Sequence, residues 1–99
     1  MIGLPGRPGN FFDRCPGYGL HLGVLAGVTG MGIFDNRFAC HSDAVGKAIY
    51  IPLGGGGFID GNRANYGTGA MTANPYRDLG ANHWGLNWKA GVSIMPVTA

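Results

Sequence analysis

The sequence predicts a mostly irregular, small-α membrane protein. One transmembrane helix at about 17–34 is flanked by glycine-rich extended arms, with a short helix at 42–50. Three observations lead there. Between Arg14 and Asp35 no residue carries a formal charge apart from what His21 picks up. Charged residues make up 12% of the 99-residue chain, against about 25% in a water-facing globular protein. Glycine supplies 20 residues, and each loses more backbone entropy on folding than any other residue does. A chain this short buries only about 60–65% of its surface, so a partner surface is expected to complete it.

Residues 1–14 read as an N-terminal arm punctuated by glycine and proline. Phe11 and Phe12 are suited to an interface. Pro16 fits the first turn of a helix, where a missing N–H costs nothing, and Asp35-Asn36 is a plausible stop. The transmembrane segment is therefore set at 15–36. Its length matches the roughly 20 residues that cross about 30 Å of hydrocarbon.

Within it, Gly19, Gly23 and Gly27 recur every fourth residue, and Ala26 and Gly30 fall on the same helical face. A bare stripe of this kind lets a second helix approach closely. His21 lies on the opposite face, where it is a candidate ligand for haem or chlorophyll or a polar group near the headgroups. Tyr18 fits an interfacial anchor.

Beyond the span, Ser42 is a candidate N-cap for the short helix, which Pro52 would close. Residues 54–57, G-G-G-G, break any regular element. The tail, 37–99, reads as extended, with short strands around 48–53 and 92–98. No internal repeat stands out beyond the glycines. Tyr66, Tyr76, Trp84 and Trp88 would anchor this tail on neighbours, since aromatic side chains dominate interface energetics.

Catalytic and metal signatures are weak. Cys40, His41, Ser42 and Asp43 are adjacent, and neighbours in sequence do not converge as a triad requires. His41, His83 and Asp60 would form a metal site only through an unusual fold. The glycine run lacks both phosphate-loop patterns. A net charge of +2 without a Lys/Arg run gives no nucleic-acid footprint. Cys15 and Cys40 would sit at opposite ends of a spanning helix, roughly 30 Å apart, too far for a disulfide.

The glycine-notched segment 15–37, with Gly23 and Gly27 ahead of the Asp35–Arg37 turn and a long polar tail, resembles small supernumerary single-pass subunits of mitochondrial inner-membrane complexes. Respiratory complex I comes first and ATP synthase second. That resemblance implies a noncatalytic accessory subunit of an electron-transport complex, held among other subunits and the lipid bilayer. It implies no small-molecule substrate and no cofactor beyond structural lipid. A small photosystem subunit of the thylakoid membrane, with His21 binding pigment, is one alternative. A soluble glycine-rich structural protein of a capsid or filament is the other.

Overall fold

The computed structural model describes residues 1–7, 9–15, 17–22 and 30–99. Among the described residues the chain has no helix, and none long and apolar enough to cross a membrane. Eleven short strands take its place. The first turn of a coil contributes β1 (Phe11–Asp13), β2 (Leu20–His21) and β3 (Gly32–Phe34). The second adds β4 (Arg37–Cys40), β5 (Ile49–Ile51) and β6 (Gly55–Asp60). The third adds β7 (Arg63–Tyr66), β8 (Tyr76–Asp78) and β9 (Ala81–Trp84). β10 (Trp88–Lys89) starts a fourth, and β11 (Val92–Ser93) folds back on it.

Equivalent strands of successive turns stack into three sheets, β1-β4-β7-β10-β11, β2-β5-β8 and β3-β6-β9. Every strand pair is parallel except β10–β11. The chain is thus a three-sided parallel β-solenoid. Ile2 adds a bridge to Ile33 at one end, and Val97 adds one to Arg77 at the other.

The core runs up the middle of the coil. Ile33 and Ile59 are in register on β3 and β6, and Ile49 and Tyr76 on β5 and β8; all four are buried. Phe12 stacks on buried Phe38 with ring centroids 4.9 Å apart. Each buried aliphatic contributes about 1.5–3 kcal/mol relative to exposure.

A row of asparagines marks the corner where each turn of the coil enters the next. Asn36 Oδ1 accepts from the Asn10 backbone N–H at 3.0 Å and from Asn10 Nδ2 at 3.2 Å. Asn62 Oδ1 receives the same two donors of Asn36, both at 3.0 Å. Asn87 Oδ1 receives those of Asn62 at 3.2 and 2.9 Å. The second Nδ2 hydrogen reaches a carbonyl of the preceding turn: Ile2 for Asn36, Ile33 for Asn62 and Ile59 for Asn87. Asn36, Asn62 and Asn87 are fully buried, and a buried amide is tolerated only when all its polar atoms are paired. The steps between successive asparagines are 26, 26 and 25 residues. That is the internal repeat the composition hides.

Several expectations are overturned. The helix at 17–34 is replaced at its described ends by β2 and β3, whose backbone groups pair with other turns rather than within a helix. With the span goes the placement in a mitochondrial inner membrane or a thylakoid, which rested on it, as did the single-pass character assigned to the chain. The short helix at 42–50 gives way to turns and β5, whose register with β8 satisfies its backbone across the sheet. The tail 37–99 is not an extended arm; it carries β4 to β11 and most of the core. The strands expected near 48–53 and 92–98 are present as β5 and β11.

The asparagine row yields a graded prediction. Asn62→Ala leaves the Asn36 amide donors and the Ile33 carbonyl unpaired inside the coil, at about 1–3 kcal/mol each. Urea unfolding should therefore show a loss of about 3 kcal/mol or more for Asn62→Ala. Exposed Asn10→Ala should lose about 1 kcal/mol or less, because the Asn10 backbone N–H keeps its acceptor. Equal losses at the two positions would contradict the ladder.

Candidate binding face

The residue after each asparagine of the row starts the next strand of the largest sheet. Register aligns Phe11 with Arg37, Arg37 with Arg63, and Arg63 with Trp88. Side chains alternate across a strand. The following positions, Phe38 and Ala64, are buried, so Phe11, Arg37 and Arg63 face outward and are exposed. Trp88 is half-buried. Adjacent strands lie about 4.8 Å apart. Two guanidinium-bearing side chains thus leave neighbouring strands in direct register, an arrangement unfavourable for like charges unless an anion lies between them.

Two shallow hollows border this row. One, of about 710 Å³, is lined by Arg7, Asn10, Phe11, Asp35, Arg37 and Arg63 among others. The second, of about 610 Å³, reaches from Phe11, Arg37 and Arg63 past Asn65 to Ala70 and Gly91. Both are open, and the two arginines stand where they meet.

The chain's carboxylates do not neutralise these arginines. Asp35 accepts from the Gly6 N–H at 2.6 Å and Asp60 from the Leu86 N–H at 2.8 Å. Buried Asp78 accepts from the Gly80 N–H at 2.8 Å and from Trp84 Nε1 at 2.8 Å. Asp43 takes the Thr72 hydroxyl, the Thr72 N–H and the Ala73 N–H. Those bonds, the Thr72 hydroxyl first, hold its carboxyl below the usual range. The one ion pair among the described residues joins Arg14 to Asp13 at 3.6 Å, both largely exposed.

The corner geometry explains why acidic residues are spent this way. Gly61 has φ +75°, and a Cβ there would strike the Asp35 carboxylate. At the equivalent corner one turn earlier, Asp35 itself adopts φ 54°.

The residues singled out from sequence are dispersed. Gly19 is a close-approach point between turns, where a Cβ would meet the Phe38 ring and the Ala48 carbonyl. Gly30, at φ +66°, faces open space. Gly23, Ala26 and Gly27 lie outside the described residues. His21 is exposed on β2, in register with Tyr50 and through it with Arg77. Its ring stacks on Tyr50 at 5.1 Å and lies 5.0 Å from Tyr18.

Tyr76 is in the core, donating its hydroxyl to the Trp88 carbonyl at 2.7 Å. Burial pushes its phenol upward from its ordinary range, so it stays protonated as a donor. Trp84 packs on Tyr76 at 5.6 Å, and Tyr66 is half-buried against the core. Of the four expected anchors, Trp88 alone sits in the row just described. Cys40 is buried, and no group of three or more His, Cys, Asp or Glu is placed to hold a metal among the described residues.

Sequence reasoning missed Arg37 and Arg63 as surface neighbours, and placed Phe11 at an interface without this row. The signal that finds them is their common place, one residue after an asparagine of the row. Comparison with family models, with curated proteins and with solved structures returned no match.

The Asp43 cluster gives a pH prediction. A carboxyl whose folded pKa is lowered contributes stability above its unfolded pKa and loses it as pH falls through the folded value. Asp43→Asn should therefore be less stable than the parent chain at neutral pH. The gap should narrow as pH drops below the usual carboxylate range, read from urea midpoints at both pH values.

Proposed function

We propose that the chain is a noncatalytic binding module that holds an extended acidic polysaccharide along the Phe11–Arg37–Arg63–Trp88 row. The observation that carries this reading is the pair Arg37 and Arg63, in register on neighbouring strands and without a carboxylate partner among the described residues. A guanidinium binds carboxylate bidentately and in a fixed plane. An aromatic side chain stands at each end of the pair, Phe11 on β1 and Trp88 on β10. Their rings offer apolar faces to the C–H faces of sugars.

An open surface suits a polymer that passes across it, since small-molecule sites cover about 70–90% of their ligand. Duplex DNA fits less well. On each DNA strand successive phosphates advance about 3.4 Å along the helix axis, out of step with strands about 4.8 Å apart. The accessory role in a respiratory complex drew its support from the membrane span and no longer has it. A partner-binding, noncatalytic role is what carries over.

Calorimetric titration with polygalacturonate tests the reading, with a neutral glucan and duplex DNA as comparisons. Binding should be seen for polygalacturonate and should weaken as salt is raised. Arg37→Ala and Arg63→Ala should each reduce affinity at least about tenfold, since a charge-assisted bond contributes about 1.5–3 kcal/mol. Equal affinity for polygalacturonate in the parent and the double variant would overturn it, as would a preference for DNA.

A further inference from the structure

Two thiols lie at the seam between the first and second turns. β1 and β4 pair in register up to Asp13 and Ala39, and the Arg14 N–H continues the pairing to the Ala39 carbonyl at 2.7 Å. Cys40 follows Ala39 directly, and Cys15 follows Arg14, whose φ of 50° turns the chain out of the strand. The Arg14–Ala39 bond thus joins the residues that precede the two cysteines, and a disulfide needs Cα atoms about 4.4–6.8 Å apart. Both cysteines line a single hollow with Gly17, Gly19, Phe38 and Lys47. Its volume, about 10 Å³, barely admits one water. Neither thiol is bonded in this structure; Cys40 is buried and Cys15 is partly exposed.

We propose that Cys15 and Cys40 form a redox modification site, closing to an intramolecular disulfide that ties the first turn of the coil to the second. The pairing has a mechanical consequence. β1 has one neighbour in its sheet, β4, and three paired residues. A covalent link just past its end holds the strand, and Phe11 with it, against Arg37. The inference is independent of what the outer face binds.

The order of events follows from exposure. With a small disulfide such as oxidised glutathione, the Cys15 thiolate attacks one sulfur and the first glutathione thiolate leaves. The Cys40 thiolate then attacks the Cys15 sulfur of the mixed disulfide and expels the second. Two protein thiols are oxidised and one glutathione disulfide is reduced to two thiols, the two protons passing through solvent to the departing glutathione thiolates. Burial pushes the Cys40 thiol up to about 11, against the opposing pull of Lys47. Cys40 is therefore the resolving thiol and Cys15 the entry point.

The test is mass spectrometry of the full chain after incubation with oxidised glutathione at mildly alkaline pH and acid quenching. The expected product has lost two hydrogens, keeps no glutathione, exposes no free thiol and stays monomeric on a non-reducing gel. Cys40→Ala should instead keep one glutathione on Cys15, because no resolving thiol remains. The parent chain needs no variant to decide the matter. A persistent glutathione adduct, two free thiols or a disulfide-linked dimer in the parent would each overturn the proposal.

Discussion

The hydrogen-bonded row of asparagine side chains is the constraint on which the solenoid depends. At each corner the backbone turns away from its sheet and leaves an N–H without a ladder partner. The oxygen of the next turn's asparagine accepts it, and the same oxygen takes a side-chain N–H of the asparagine below. The amides of Asn36 and Asn62 are satisfied only if the turn beneath and the turn above are both in place. The row is therefore cooperative along the coil axis, and a partly satisfied row would be worse than an apolar core.

Register follows from it. A slip of one residue between parallel strands would turn every inward side chain outward. The asparagines forbid the slip, because Asn36 meets Asn62 and Asn62 meets Asn87 through two hydrogen bonds each. Once they are fixed, the next residue of each strand must face solvent and the one after it must face the core. Phe12, Phe38 and Ala64 fill the inside of the first sheet, and Phe11, Arg37 and Arg63 cover its outside. The aspartates complete the pattern by capping backbone N–H groups at corners and loops. That role occupies Asp35, Asp43, Asp60 and Asp78, while Asp13 pairs with Arg14, and Arg37 and Arg63 are left without a carboxylate partner among the described residues.

Much of this was present in the sequence in a form that local patterns do not expose. Asn10, Asn36, Asn62 and Asn87 can be read directly, but only two of the residues before them match (Gly9 and Gly61, against Asp35 and Leu86), and the loops between differ. Apart from the six-residue β6, strands of two to four residues are too short to show a period of two, so an apolar, glycine-rich stretch reads as a membrane helix. The G-x-x-x-G spacing reflected composition in its described part: Gly19 lets one turn lie on the next, and Gly30 faces open space. β5 and β11 fall inside the short strands expected at 48–53 and 92–98. The binding row was hidden for the same reason as the fold. Arg37 and Arg63 become neighbours only once a repeat of about one turn is recognised. The meeting of Cys15 with Cys40, excluded by a spanning helix, follows from that repeat as well.

Hydrogen exchange of asparagine side-chain amides tests the ladder most directly, since it reads the bonds themselves rather than their energetic consequence. The Nδ2 hydrogens of Asn36, Asn62 and Asn87 should exchange as slowly as the core backbone amides, while those of exposed Asn65 exchange freely. Side-chain amides of Asn62 that exchange as fast as those of Asn65 would show that no such row holds the coil together.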